Sequence, residues 1–259
     1  MSNRAGDNNK YRPAAEILEI FSGIQGEGPL VGVRQVFVRF AGCNLDCFYC
    51  DTMDAFSGQT ECLVEQVPGH RDFETLPWPL PVDMTAAIIR RLLQGGVKHH
   101  SISLTGGEPL VQSEYVRELL CILNGESHIY LETNGTLPGD LESVLDLVDI
   151  ISVDVKVFPR LGGVPYFDRH RLFLELAAEK RVFVKFVLMD DVTDEQIETV
   201  CRLIERVDRS IPLVLQPVTK RDCCVPPTSD RVLEIDSLCL RFLPDVRVIP
   251  QVHKVLGQR

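Results

Sequence analysis

No run of apolar residues in this chain approaches the roughly 18 that a membrane-spanning helix requires. The opening stretch MSNRAGDNNKYRP lacks the apolar centre of a secretory signal. Cytoplasmic residence without a membrane partner is the resulting expectation. Basic residues are in deficit as well: 27 Lys and Arg stand against 37 Asp and Glu, a net charge of −10. That balance argues against a nucleic-acid partner, whose phosphates are met mainly by Lys and Arg, and points to small-molecule chemistry. Core material is not scarce. With 45% hydrophobic and 25% charged residues the chain is neither disordered nor fibrous. Its 259 residues fit one α/β domain spanning 1–259.

The nine cysteines are odd in number, and in a reducing compartment a disulfide scaffold explains them poorly. Three are grouped as Cys43-Asn44-Leu45-Asp46-Cys47-Phe48-Tyr49-Cys50, on a loop that follows a strand. Three thiolates so spaced can wrap one four-iron cluster and leave one iron open to another ligand. A structural zinc with Cys62 or His70 as fourth ligand is a second reading, and three unrelated buried thiols a third. Cys62, Cys121, Cys201, Cys223, Cys224 and Cys239 show no grouping and read as small buried hydrophobes.

The chain opens with two strands, AEILEIF (15–21) and QVFVRF (35–40), joined by a glycine-rich turn. Residues 54–82 read as a long irregular insert holding Pro68, Pro77, Pro79 and Pro81. Strands and helices then alternate. Strands are expected at 100–104, 128–132, 149–155, 181–188, 212–216 and 246–251, with helices from about 83, 112 and 193 and near 167–180 and 229–240. The later strands are nearly continuous apolar runs, as in a parallel sheet covered on both faces. The pattern predicts an α/β fold, a partial and open parallel β/α barrel of about six strands with N-terminal and C-terminal additions, where a closed barrel needs eight. SLTGGEP, LETNG, SVDVK and LQPV all fall at strand C-terminal ends, where such sheets gather their polar sites.

The cysteine spacing, with an aromatic before the last cysteine, resembles the signature of the radical S-adenosylmethionine superfamily. FSGIQGEGPLVG (21–32), FVRFAGCNLDCFYCDT (37–52), LTGGEPL (104–110), LETNGT (131–136) and PQVHK (250–254) together resemble its 7-carboxy-7-deazaguanine synthase family. The resemblance runs from residue 16 to the C-terminus. It implies a 4Fe-4S cluster on Cys43, Cys47 and Cys50, with S-adenosylmethionine on the open iron as the source of a 5′-deoxyadenosyl radical. The implied substrate is 6-carboxy-5,6,7,8-tetrahydropterin, which gives 7-carboxy-7-deazaguanine and ammonia on the way to queuosine and other 7-deazapurines. An external one-electron donor such as flavodoxin, and a homodimer, are also what the family suggests. No catalytic side chain is assigned beyond the cluster and cofactor.

Carried over residue by residue, the resemblance places Gln25, Glu27, Arg39, Thr105 and His253 around the pterin. A carboxylate suits the donor edge of a pterin, and a guanidinium fork suits its carboxylate. Taken alone, Arg39 also reads as a strand-end ion pair and His253 as a structural histidine. Gly106, Gly107, Glu108, Asn134, Asp154, Lys156 and Gln216 are placed on S-adenosylmethionine, the glycines because they allow close backbone approach by a ligand. Each also reads as a turn, a cap or a surface ion pair. Thr52, beside Asp51, supplies a hard hydroxyl oxygen for Mg²⁺ together with the substrate carboxylate. A glycyl-radical activating enzyme shares the cysteine spacing but gives no reason for QGEG or PQVHK. A zinc-stabilised binding module would need no Gly-Gly-Glu-Pro.

Overall fold

The computed structural model describes residues 12–50, 58–156, 166–220 and 224–258. Twelve strands are found there: β1 (Ala14–Ala15), β2 (Ile17–Ile24), β3 (Arg34–Phe40), β4 (Glu61–Glu65), β5 (Phe73–Pro77), β6 (Leu80–Pro81), β7 (Ser101–Gly106), β8 (His128–Thr133), β9 (Ile150–Asp154), β10 (Arg181–Leu188), β11 (Leu213–Pro217) and β12 (Val246–Val248). Ten of them form one sheet in the order β12-β11-β10-β9-β8-β7-β3-β2-β4-β5. From β3 through β7 to β12 every pairing is parallel, so the expected run of about six strands is present, followed by the short β12. β2 pairs antiparallel with β3, and β12 and β5 are the two edges of an open sheet.

The helices are α1 (Val82–Gln94), α2 (Ser113–Ile122), α3 (Pro138–Val144), α4 (Phe167–Ala177), α5 (Asp194–Asp208), α6 (Ser229–Cys239) and α7 (Val252–Val255). α1 shows why they cover the sheet. It buries Val82, Thr85, Ala86, Ile88, Ile89 and Leu92, a stripe at three- and four-residue spacing. α5 begins at a capping box in which Thr193 Oγ1 accepts from the Gln196 amide and Gln196 Oε1 accepts from the Thr193 amide.

Of the expected irregular insert 54–82, residues 58–82 are described, and they differ from that expectation. The segment carries β4 and β5, an antiparallel pair registered Glu61 to Pro77 and Glu65 to Phe73, and β4 extends the sheet alongside β2. Its prolines lie at the turn and strand ends, Pro77 closing β5 on the outer edge where no further strand needs an amide. Cys62 and Val64 are buried within the main core. α3, a short helix begun by Pro138, was not expected from the pattern.

Inside the barrel the side chains lie in layers, because every second residue of a strand points to the same face. Tyr130, Ile150, Phe183 and Val214 form an apolar bottom layer, plugged by Leu30 from the turn between β2 and β3. Two residues further along the same four strands lie Glu132, Ser152, Lys185 and Gln216, and two further again Asn134, Asp154, Val187 and Val218. All eight line a cavity.

Candidate active site

The cavity encloses about 590 Å³. Its rim carries Cys43, Cys47 and Cys50, its walls the ends of β3 and β7 to β11, its floor the Gln25–Glu27 turn, and its side the C-terminal tail with Gln251, His253, Lys254 and Gln258. The cysteine loop is pinned where the chain leaves β3. The amides of Gly107 and Glu108 donate to the carbonyls of Phe40 and Gly42, both at 2.9 Å. A Cβ at Gly107 would lie 1.8 Å from the Gly42 oxygen, and one at Gly106, whose φ is +123°, would meet the Phe40 backbone at 2.3 Å. The close approach that requires these glycines is therefore made by the cysteine loop, while both residues still face the cavity.

The three thiols are half-buried and open on the same space. Burial pushes the Cys47 thiol up to about 11 and raises that of Cys43. Ligation to iron releases those protons. The Leu45 amide and Asn134 Nδ2 donate to Cys43 Sγ at 3.4 and 3.8 Å, the kind of contact that orients a thiolate ligand. Among the described residues no three His, Cys, Asp or Glu side chains gather closely enough for one metal ion. A polynuclear cluster asks less, since each thiolate reaches its own iron. The donor set and the shared opening fit such a cluster.

Two buried oxygens on this cavity have no hydrogen-bond partner among the described residues, Gln216 Oε1 and Asp154 Oδ1. Buried acceptors of this kind are normally satisfied, so they suit the hydroxyl and amino donors of a nucleoside. Asp154 Oδ2 pairs with Lys156 Nζ at 2.8 Å, and Lys156 also lies over the Tyr49 ring, 5.0 Å from its centre. Asn134 closes a small network with the cysteine loop: its Nδ2 donates to Asn44 Oδ1 (2.9 Å), Asn44 Nδ2 donates to Thr136 Oγ1 (2.8 Å), and Thr136 Oγ1 donates to Asn134 Oδ1 (2.6 Å).

Glu108 departs from its expected place on the cofactor. Its carboxylate is fully buried behind the wall, where it accepts from the amides of Leu110 (3.1 Å) and Asn134 (2.7 Å) and from Thr133 Oγ1 (2.9 Å). Proline at 109 leaves the Leu110 amide as the nearest orphan donor of the following turn, and the side chain folds back to satisfy it. Burial raises the Glu108 carboxyl to about 7 against the pull of those three donors.

Of the expected pterin residues, all five line the cavity. Gln25 Nε2 donates to Gln35 Oε1 (2.9 Å) and Glu132 Oε1 (2.8 Å), and Thr105 Oγ1 donates to Glu132 Oε2 (2.8 Å). Glu27 forms a short ion pair with Lys185 and accepts from Gln251 Nε2 at 2.9 Å. Burial would raise its carboxyl, but Lys185 and Gln251 outweigh burial and hold it at about 2. Arg39 Nε donates to Glu19 Oε1 at 2.9 Å. His253 packs on Gly26, where a Cβ would come within 2.2 Å of its Nδ1 and 2.5 Å of its backbone nitrogen. Gly26→Ala is accordingly expected to push the tail off the floor at a cost of about 1–3 kcal/mol, visible as a raised KM with the protein still folded; unchanged kinetics would contradict it. Thr52 and Asp51 lie outside the described residues, as does Cys223. Cys62, Cys201, Cys224 and Cys239 are buried as expected, whereas Cys121 is exposed.

Glu19, Glu132 and Lys185 were not anticipated. The signal for the last two was parity: each stands two positions beyond an inward aromatic, Tyr130 or Phe183, so each must point into the barrel.

Residues 37–204 match the family model described as Radical SAM superfamily, and the chain belongs to that superfamily. A 4Fe-4S cluster and S-adenosylmethionine are its cofactors. The chain is 43% identical to a 7-carboxy-7-deazaguanine synthase of Geobacter sulfurreducens over 95% of this chain and 99% of that one. It is 35% identical to one of Methanothermobacter thermautotrophicus over 95% and 98%. The crystal structure of QueE from Escherichia coli shares the fold with a TM-score of 0.59 and 20% identity, over 93% of this chain and 95% of that one. The chain is a member of the 7-carboxy-7-deazaguanine synthase family.

Proposed function

We propose that this chain converts 6-carboxy-5,6,7,8-tetrahydropterin into 7-carboxy-7-deazaguanine with release of ammonia, in the biosynthesis of queuosine and related 7-deazapurines. The observation that carries the reading is a single cavity with three thiols at its rim and an ionised, pterin-compatible carboxylate, Glu27, on its floor. When bound, the cluster and S-adenosylmethionine supply a 5′-deoxyadenosyl radical able to take one hydrogen from the substrate.

The side chains bind and orient. Gly106 and Gly107 present backbone to the methionyl part, Asn134, Asp154 and Lys156 meet the ribose or the carboxylate, and Gln216 offers its orphaned oxygen to the adenosine portion. Glu27 accepts N–H donors from the pterin edge, and the bonds it makes to Lys185 and Gln251 keep it from turning. Glu19 holds Arg39 by Nε, leaving the terminal nitrogens for the substrate carboxylate. Thr105 and Glu132 meet the ring from the wall. Thr52, with the substrate carboxylate, holds Mg²⁺. An external one-electron donor such as flavodoxin, a homodimer and a cytoplasmic setting complete the reading; no helix among the described residues is long and apolar enough to cross a membrane.

Anaerobic incubation of the reconstituted protein with the tetrahydropterin, reductant, Mg²⁺ and S-adenosylmethionine tests it, with products read by mass. Appearance of 7-carboxy-7-deazaguanine supports the assignment, and cleavage of S-adenosylmethionine without it rejects the substrate. His253→Ala is expected to keep full iron content and to lower kcat/KM for the pterin about tenfold, the worth of one lost polar contact; unchanged kinetics would remove His253 from the site.

A further inference from the structure

A lysine in the middle of the otherwise apolar strand RVFVKFVL needs a reason, since Lys is almost never fully buried unless paired. Lys185 is buried, and its ammonium sits between two carboxylates from different parts of the chain. One is Glu27, from the turn between β2 and β3, and the other Asp154, at 3.4 Å from the end of β9. The same Asp154 oxygen takes Lys156 at 2.8 Å. A row of alternating charge, Glu27, Lys185, Asp154, Lys156, thus runs from the cavity floor to the wall assigned to the cofactor.

We propose that Lys185 is a positioning residue for the pterin: it keeps Glu27 ionised and aimed at the ring's donor edge, and anchors it to the cofactor wall through Asp154. The proposal rests on the assignment of Glu27 to the pterin. Facing Glu27 are Lys185 from β10, Tyr130 and Glu132 from β8, Asp154 from β9, Gln25 from its own turn, and Gln251 and His253 from the tail. Among the described residues Lys185 is the cation in direct contact with it. Glu132 and Asp154 carry the opposite tendency, because a neighbouring carboxylate disfavours a second negative charge. With Lys185 removed, burial is left to dominate, and the Glu27 carboxyl moves upward into the neutral form. A neutral acid turns an O–H toward the pterin where an acceptor is needed.

The test is the affinity of the reconstituted enzyme for the stable analogue 6-carboxypterin between pH 5.5 and 9, read by fluorescence. In Lys185→Met the ratio of its Kd to that of the wild-type enzyme should grow as pH falls, by about tenfold per unit by which the Glu27 pKa exceeds the pH. Lys185→Arg should track the wild type. Glu27→Gln combined with Lys185→Met should bind weakly with no such slope, which separates Glu27 from Glu132, Asp154 and His253. Lys185→Gln repeats the measurement with a side chain that still donates to Glu27 but carries no charge, should the methionine variant fail to fold. A Kd ratio independent of pH in both substitutions would reduce Lys185 to a structural role and overturn the proposal. Failure of the wild-type enzyme to bind the analogue would overturn the pterin assignment itself.

Discussion

Cys50→Ala protein, reconstituted without oxygen, is expected to lose its brown colour and to cleave S-adenosylmethionine more than about a hundredfold more slowly than wild type. That exceeds the roughly 10- to 100-fold cost of losing an outer-shell partner, because a ligand itself is gone. The wild-type protein should hold about four irons per chain. The substitution is a clean one. The turn that presents Cys50 is closed by its own amide, which donates to the Cys47 carbonyl at 2.9 Å, and alanine keeps that bond. Cys43 and Cys47 retain their places, so the variant tests whether two thiols can do the work of three. Cys121→Ala, on the exposed side of α2, is the control and should keep both iron and activity. Normal iron content and cleavage in Cys50→Ala would refute the cluster assignment, and a colourless wild-type protein holding one zinc would replace it.

The barrel and its site were legible in different ways. Strands β7 to β11 announced themselves because each is a short apolar run set between amphipathic stretches. Arg181–Leu188 matches the expected 181–188 in full. The hairpin of β4 and β5 was hidden for a physical reason. FETLP is the edge strand and ECLVE the strand beside it, four of their ten residues are polar, and Pro77 together with the prolines around the pair resembles loop punctuation. α3 was hidden because seven residues give less than two turns of pattern.

Within the site, the motif residues were found by resemblance, and the supporting charges were not. Lys185 and Glu132 become visible only when strand parity is counted from the aromatics of the bottom layer. Glu108 shows the opposite failure. Its place in Gly-Gly-Glu-Pro suggested a ligand contact, but the two glycines that allow the cysteine loop to approach also set the next side chain facing inward behind the wall. What the motif encodes here is a joint: two backbone bonds to the cysteine loop on one side, and three bonds from a buried carboxylate to the ends of neighbouring elements on the other.

Glu108→Gln should expose that joint through the pH dependence of stability. In the unfolded chain the carboxyl titrates near 4.5, and in the fold at about 7. Between those values the native state binds the proton more tightly, so unfolding releases it and stability falls as pH rises. The contribution is fully present below about pH 4.5 and lost by about pH 7. A shift of this size corresponds to about 3 kcal/mol across the window. Glutamine has the shape of the neutral acid and does not titrate, so it lacks this loss. It leaves one of the three donors facing an amide nitrogen, a roughly constant penalty of about 1–3 kcal/mol. Urea unfolding should therefore find the stability of wild type minus that of the variant falling by about 2.5 kcal/mol between pH 5 and pH 8, with wild type the more stable at pH 5 and the variant the more stable at pH 8. His170, which burial lowers to about 4, makes stability rise with pH over part of the same range. Both proteins carry it, so it cancels in the difference. Parallel stability curves from pH 5 to pH 8 would mean that Glu108 stays ionised throughout, its three donors outweighing burial.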